Sequence, residues 1–411
     1  MKVKTLRLRN FRNIVESELD PDPSLNFLLG KNGQGKTSFL EALGYLSTLR
    51  SFRGSKTPEV IQWGATQAEI SCKLENVVNV DSVDNFVDNW STELKVAFAF
   101  TDPQHQRASK VAFINGKPYK SSTSYLSQRF GNFELGFHCV VFNPADHDLV
   151  RTDPATRRSY LDRVIAAEDV EYLKGLQKYQ RVLEQRNALL KESDRPSPEL
   201  LKGFTEPMSR YAAYLTYKRL EWVNRLAERL NETVHQIAPR QPFLRLVYVS
   251  NWVPKIENLS IDSDSLSRVH FTGHGPLPSL ELLEQAFWKK QASLEAAEWK
   301  SRHSLVGPHR DDWTFFLGEQ ILKGHGSQGE VRSALLALKL SEVELFRNAT
   351  GHRPIFLLDD FSSELDRERR NFLLGFLAEK DLQVFVTTTD DSFLIGKHYW
   401  VVNGRLENHG S

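Results

Sequence analysis

The segment Gly30-Lys31-Asn32-Gly33-Gln34-Gly35-Lys36-Thr37-Ser38 constrains this chain more than any other. It follows the apolar run Leu25-Asn26-Phe27-Leu28-Leu29 and opens a stretch with apolar residues at 39, 40, 43 and 46, a helical period. Strand, glycine turn and helix in that order fit the G-x-x-x-x-G-K-[ST] pattern. The backbone N–H groups of such a turn form a concave anion site, and the helix N-terminus adds positive potential. Lys36 can reach the β- and γ-phosphates of a nucleotide, and the Thr37 hydroxyl can ligate Mg²⁺. The bland alternative for the same residues is a glycine turn that caps a helix.

A second apolar run, residues 354–358, ends in Asp359-Asp360. A carboxylate at the end of a buried strand is where a Mg²⁺ ligand or a water-positioning base sits. Asp359 is expected in the metal shell and Asp360 is expected to polarise the attacking water, although acid pairs also occur at strand ends without function. Upstream, Gly326-Ser327-Gln328-Gly329-Glu330 precedes a helix patterned by Leu335, Leu338, Val343 and Phe346. Ser327-x-x-Glu330 is a capping box. A capped helix start is also a good anion site, so both readings hold together. Downstream, Ser362-Ser363-Glu364-Leu365-Asp366 follows the Asp pair, and residues 383–389 form a strand ending in Thr387-Thr388-Thr389.

The chain has 411 residues, 40% apolar and 26% charged. That suits roughly two to three domains with a sizeable core and excludes wholesale disorder. No run approaches the ~18 apolar residues of a membrane span, and the first residues show no apolar signal region. Cys72 and Cys139 stand alone, as in a reducing cytoplasm. The formal net charge is +1, so nucleic-acid binding must rest on local basic patches. Residues 1–154 read as the N-terminal half of a nucleotide-binding head. Within them, 66–142 are strand-rich with a turn at Asn115-Gly116, and 76–89 read as a surface loop. Residues 155–303 read as a mostly helical lobe, with helices over 154–191, 208–237 and 280–303 that are far too short for a coiled-coil arm. Residues 304–411 read as the C-terminal half of the head.

The order of phosphate loop, signature, Asp strand, D-loop and switch strand resembles the ABC-type ATPase head. Within that class the chain resembles the RecF family of bacterial recombination and replication-repair mediators over nearly its whole length. The segments that carry the resemblance include Leu8-Arg9-Asn10-Phe11-Arg12-Asn13, the phosphate loop with Leu40-Glu41-Ala42, Ser51-Phe52-Arg53 and Phe142-Asn143-Pro144. They continue with Arg157-Arg158, Gln185-Arg186-Asn187, Gly307-Pro308-His309-Arg310-Asp311-Asp312, Ser327-Gln328-Gly329 and Leu357-Leu358-Asp359-Asp360. The resemblance implies an α/β fold: an ABC-type P-loop ATPase head with an added β-rich lobe, a mostly helical second lobe and no long coiled coil. It implies a weak ATPase that uses ATP and Mg²⁺ and forms a head-to-tail homodimer when ATP binds. Each nucleotide would lie between the phosphate loop of one protomer and Ser327, Gln328, Gly329 and Glu330 of the other. Ser363 and Asp366 would couple the two sites. The dimer would clamp DNA, single-stranded and duplex, at gaps or junctions. Slow hydrolysis would reset it as it helps mediator proteins load the recombinase in the cytoplasm, with no membrane partner. Two other readings stand beside this one: an ABC-headed DNA nuclease, with Asp311-Asp312 as its further acidic pair, and a nucleotide-stabilised scaffold.

The chain departs from the wider class at three places. Asp360 stands where most heads carry Glu, Thr387-Thr388-Thr389 where many carry His, and Asn143-Pro144-Ala145-Asp146 lacks the usual Gln. Arg50, Arg53 and Lys56 are weak candidates for DNA contact. Further basic clusters stand at Lys4, Arg7, Arg9 and Arg12, at Arg157, Arg158 and Arg163, and at Arg181, Arg186 and Lys191. Each could equally be a solvated or acid-paired face. His303 and His309 near Asp311 and Asp312 match no zinc spacing, which favours a structural loop. Trp90, Trp222, Trp252, Trp288 and Trp299 are expected to pack cores.

Overall fold

The computed structural model describes residues 2–75, 91–102, 104, 107–128, 137–192, 197–254, 269–273, 275–361, 367–390 and 396–407. The chain forms two compact units, Met1–Asp146 with Phe346–Ser411, and His147–Leu345. Residues 304–345 therefore pack with the second unit, whereas sequence alone grouped them with the C-terminal half of the head. The reason is strand pairing: Asp312–Leu317 runs antiparallel to Leu244–Ser250 within that unit.

In the first unit, the strands Leu25–Leu29, Val384–Thr388, Ile355–Leu358 and Cys139–Phe142 are nearly or wholly buried. Continuous apolar runs of this kind form parallel sheets covered on both faces. The six-stranded sheet runs in the order Arg405–Glu407, Lys397–Val402, Leu25–Leu29, Val384–Thr388, Ile355–Leu358, Cys139–Phe142. Only the outermost Arg405–Glu407 pairs antiparallel. The register sets Leu29 beside Thr388 and Leu358 beside Val386, which brings the C-terminal ends of these strands together. In open parallel sheets that is the end where ligands bind.

A second six-stranded sheet in this unit is antiparallel throughout, with Lys2–Phe11 flanked by Ile14–Leu19 and Gln67–Glu75. Its strands alternate buried and exposed residues, as a sheet with one wet face requires. Asn115 and Gly116 both take positive φ, 49° and 76°, closing the expected hairpin between Arg107–Ile114 and Lys117–Tyr119. On the exposed face Arg7 pairs with Glu18, Lys4 with Glu75, and Arg9 lies in register with Glu16 and Glu69. The N-terminal basic cluster is thus a charge-balanced sheet face. Helix Lys36–Thr48 lies between the two sheets, touching strands of both, and most of its residues are buried. The expected surface loop at 76–89 lies outside the described residues.

In the second unit, the expected helix over 154–191 is two helices, Pro154–Glu168 and Val170–Glu192. Asp153 caps the first by accepting from the N–H groups of Ala155 and Thr156. The longest helix is Pro198–Ile237, 40 residues. It begins ten residues before the periodicity suggests because Ser197 caps it and Pro198 opens it. No helix among the described residues forms a long coiled-coil arm. Beside the helices lies a four-stranded sheet in the order Val269–Phe271, Leu244–Ser250, Asp312–Leu317, Gln320–Ile321. The lobe is mostly helical, but this sheet was not expected within it.

Candidate nucleotide site

The glycine turn sits at the C-terminal end of strand Leu25–Leu29 and leads straight into helix Lys36–Thr48. Gly30 takes φ 149°, and a Cβ there would lie 2.5 Å from the Val401 carbonyl oxygen. Gly35 takes φ 107°, and its Cβ would lie 2.9 Å from the Asn13 side chain. Neither position admits a side chain, so the two glycines fix the path of the turn. Three further contacts brace it. The Ser38 hydroxyl donates to Asn13 Oδ1 at 3.0 Å, the Asn403 N–H donates to Gln34 Oε1 at 2.6 Å, and the Gly404 N–H donates to the Gln34 carbonyl at 2.8 Å.

Lys36 Nζ donates to the carbonyls of Gly30 at 2.6 Å and Lys31 at 2.9 Å. Burial lowers its pKa from the ordinary lysine value, and the nearby Asp360 and Asp359 oppose that shift. Thr37 donates to Asp359 Oδ1 at 2.8 Å, and Thr387 donates to the same oxygen at 2.7 Å. Burial raises the Asp359 pKa, while the Thr387 and Thr37 hydroxyls pull it back. The Asp360 N–H donates to Thr387 Oγ1 at 2.8 Å, and Asp360 itself takes a left-handed φ of 57°. That conformation is uncommon outside glycine, and acidic and amide residues tolerate it best. The left-handed turn comes one residue after Asp359, just past the end of the buried strand Ile355–Leu358. Thr387 therefore ties the Asp strand to its neighbour at the point where many heads carry His.

These groups line a cleft of about 1070 Å³ that also includes Arg12, Arg53, Trp63 and Pro144. Thr37 and Asp359 supply hard oxygen donors of the kind Mg²⁺ prefers, with the remaining ligands left to phosphate and water. The donor set fits Mg²⁺. No group of three or more His, Cys, Asp or Glu among the described residues forms a metal cluster. Where other heads carry Gln, Asn143 and Asp146 close the turn on themselves. The Asn143 N–H donates to Asp146 Oδ2 at 2.8 Å, and the Ala145 N–H donates to Asn143 Oδ1 at 2.8 Å.

The signature residues belong to the second unit. The Ser327 N–H donates to Glu330 Oε2 at 2.7 Å and the Glu330 N–H donates to Ser327 Oγ at 3.3 Å, the reciprocal pair of a capping box at the start of helix Gln328–Thr350. Ser327, Gln328 and Gly329 are at least partly exposed. Ser363 and Asp366 lie outside the described residues.

Among the basic candidates, Arg12 is committed to Glu41, with Nε 2.9 Å from Oε2, and to the Glu59 carbonyl. Arg53 reaches Glu41 at 3.6 Å while half exposed, and the Lys56 N–H donates to Glu59. Arg50 is exposed. Arg157 and Arg186 are buried in ion pairs with Asp312 and Glu298, so they are structural residues. Asp311 is buried and accepts from Tyr248 at 2.6 Å, which removes the acidic pair that a nuclease reading needed. His309 is held between the Tyr179 hydroxyl and the Ser304 carbonyl, as a structural loop requires. Trp222 and Trp252 are buried as expected, and Trp90 lies outside the described residues. Trp63, which sequence reasoning passed over, is 98% exposed at the cleft. Its signal was a tryptophan followed by glycine between two apolar segments, the mark of a turn tip.

Fold and cleft together define an ABC-type ATPase head. The model of the RecF/RecN/SMC N-terminal domain matches residues 2–401. DNA replication and repair protein RecF of Geotalea uraniireducens is 32% identical over 389 residues, 95% of this chain and 93% of that protein. That of Geobacter metallireducens is 34% identical over 396 residues, 96% and 94% of the two. The solved structure of the recombination mediator protein RecF in its RecF-ATP form superposes with a TM-score of 0.79 at 27% identity, covering 99% of this chain and 97% of that one. An Smc head bound to the C-terminal winged-helix domain of ScpA, 14% identical with a TM-score of 0.51, shares the fold. The chain belongs to the RecF family of DNA replication and repair proteins. No helix among the described residues is long and apolar enough to cross a membrane.

Proposed function

We propose that this chain is an ATP-gated DNA-binding switch of recombinational repair and replication-fork maintenance in the cytoplasm. The observation that carries the proposal is the convergence of Lys36, Thr37 and Asp359 on one cleft, with Thr37 and Asp359 2.8 Å apart. Lys36 and the backbone N–H groups of residues 30–38 cradle the phosphates, Thr37 and Asp359 hold Mg²⁺, and Asp360 positions water. Asp360 has a shorter reach than Glu, which suits slow turnover. Ser327, Gln328, Gly329 and Glu330 receive the terminal phosphate of a second protomer's nucleotide, because a capped helix start offers N–H donors to an anion. Ser363 and Asp366 couple the two sites. ADP lacks the terminal phosphate, so its affinity for the dimer differs and hydrolysis resets the switch. The ATP dimer clamps DNA at single-strand gaps or junctions, with Arg50, Arg53 and Lys56 as candidate contacts, and works with recombination mediator proteins. Relatives solved in the RecF-ATP form and assigned to the RecFOR pathway support this reading.

Light-scattering mass with ATP, with ADP and without nucleotide tests it on wild type and Ser327→Arg. Dimer formation only with ATP, lost in the variant, is the expected result. A mass that ignores ATP, or a Ser327→Arg protein that dimerises normally, overturns the switch.

A further inference from the structure

The sequence holds three Asn-Gly pairs, at 32–33, 115–116 and 403–404. Asparagine is thermolabile, and a following glycine presents no Cβ to keep its nitrogen away from the asparagine side chain. The structure restrains two of the pairs. Asn115 Oδ1 accepts from the Glu93 N–H at 2.8 Å, and the Asn115 N–H donates to the Glu93 carbonyl at 2.9 Å. The Gly404 N–H donates to the Gln34 carbonyl at 2.8 Å, and a Cβ on Gly404 would lie 2.6 Å from the Asn13 carbonyl oxygen, so this nitrogen is both bonded and enclosed.

The pair at 32–33 is restrained at neither reacting group. Asn32 is exposed, and neither its side chain nor the Gly33 N–H hydrogen-bonds to any described residue. Gly33 is held through its carbonyl, which accepts from Asn13 Nδ2 at 3.5 Å. The pair forms the middle of a turn closed by a long bond, 3.4 Å from the Gln34 N–H to the Lys31 carbonyl. Gly33 takes φ 81°, and a Cβ there would meet nothing within 4 Å, so the loop has open space on that side. The turn leads into helix Lys36–Thr48, whose N-terminus carries positive potential, with Lys31 and Lys36 beside it. A field that suits phosphate also suits a backbone nitrogen that has lost its proton.

We propose that Asn32 is a deamidation site whose conversion ages the phosphate loop of the nucleotide-free protein. The Gly33 nitrogen gives up its proton and attacks Asn32 Cγ. The new C–N bond closes a cyclic imide, the Cγ–Nδ2 bond breaks, and Nδ2 leaves as ammonia with that proton. Water then opens the ring. Cleavage at Cγ gives aspartate, and cleavage at the backbone carbonyl of residue 32 gives isoaspartate, whose main chain runs through Cγ and is one methylene longer. No electrons are transferred, and water is the only co-reactant. Asn32 and Gly33 line the cleft with Lys36, so either product puts a carboxylate among the phosphate-binding groups. Bound nucleotide engages the loop's N–H groups and slows the reaction, a consequence that rests on the nucleotide-switch reading above.

Incubation of the full chain in warm, mildly alkaline heavy-oxygen water, with and without a hydrolysis-resistant ATP analogue, tests this by peptide mass spectrometry. The Asn32 peptide should gain a carboxylate carrying one heavy oxygen and split into two isomers, while the Asn115 and Asn403 peptides stay largely unchanged. The analogue should slow the conversion several-fold. In calorimetric titrations the fraction of protein with full ATP affinity should fall as the modified fraction rises. Asn32→Asp, which carries a carboxylate from the start, should bind ATP at least ~10-fold more weakly, because carboxylate and phosphate are like charges. Asn32→Gln should keep its own starting affinity through the same incubation. Conversion at Asn32 no faster than at Asn115 or Asn403 overturns the site. An unchanged rate with the analogue bound overturns the protection, and conversion with full ATP affinity retained overturns the ageing of the loop. A fresh wild type that binds no ATP overturns the nucleotide reading instead, and the mass of the Asn32 peptide still decides the deamidation.

Discussion

The cleft of the first unit and the polar network of the second use the same residue types in opposite ways. In the network, Arg219 donates to Asp162 at 2.7 Å and to the Pro308 carbonyl at 2.7 Å, and contacts the hydroxyls of Tyr172 and Tyr248. Arg186 likewise meets Glu298 at 2.6 Å, with Thr205 and Ser304 completing its donors. Here each buried guanidinium is matched by a carboxylate. In the cleft, Lys36 donates to neutral carbonyls and Asp359 accepts from two hydroxyls. Their charges rest on neutral partners and remain available to a charged ligand. The buried guanidinium groups of Arg219 and Arg186 are matched by carboxylates whereas Lys36 and Asp359 bond only to neutral groups, a distinction that motifs such as Gly307–Asp312 and Leu357–Asp360 do not reveal by composition.

The largest effects should come from one substitution in each region, with opposite outcomes. Arg219→Ala leaves the partly buried Asp162 without its cation, and removing one member of a fully buried pair costs about 3–5 kcal/mol, the upper bound here. Urea unfolding should show that loss. Lys36→Ala should leave unfolding nearly unchanged while lowering ATP binding and hydrolysis at least ~100-fold, since Lys36 is the phosphate-reaching cation. An Arg219→Ala protein as stable as wild type would refute the structural role of the matched pair. A Lys36→Ala protein that loses stability instead of nucleotide would break the comparison.

The network also makes an intermediate prediction about pH. Burial pushes the Asp311 carboxyl up to about 6, partly offset by the hydrogen bond from Tyr248 and by Arg219. Burial pushes His309 down to about 4, opposed by its bond to the Ser304 carbonyl. The signs are opposite. A raised carboxyl pKa means the folded state holds the proton more tightly, so its stabilisation is present below the unfolded value near 3.8 and is lost as pH rises through 6. A depressed histidine pKa means the folded state excludes the proton, so its stabilisation is present above 6.5 and is lost as pH falls through 4. Each shift is on the order of 3 kcal/mol, and between pH 4 and 6 the two largely cancel. His309→Gln should therefore become less stable as pH rises from 4 to 6, and Asp311→Asn more stable. Denaturant midpoints at three pH values decide it, and parallel slopes in the two variants would refute the opposed titrations.

Legibility in the sequence followed the same division. The phosphate loop was readable because strand, turn and helix are contiguous and the chemistry needs those residues at that spacing. Asp359 was readable as the end of an apolar run, but its sharing of one oxygen with Thr37 and Thr387 depends on sheet order, which local pattern does not encode. The fate of Arg157 and Arg186 was not readable, since a basic residue on a helix looks alike whether it faces water or Asp312 and Glu298. The four-stranded sheet escaped notice because its strands are separated by a whole helix, Leu280–Ser301. Trp63 escaped because one exposed residue at a turn has no period to betray it.

The smallest expected effect separates the two roles of Ser327, where the comparison is least clear because structure and ligand binding share one hydroxyl. As a helix cap, Ser327→Ala should cost about 1 kcal/mol, whereas Ser327→Gly should cost only a few tenths because glycine is tolerated at that position. As a ligand of a second protomer's nucleotide, the hydroxyl is lost equally in both. Thermal melts should therefore rank glycine above alanine, while ATP-dependent dimerisation should weaken to the same extent in both. If dimerisation instead tracks the melting order, the hydroxyl acts through the helix start alone, and the N–H groups of Gly329 and Glu330 carry the anion contact.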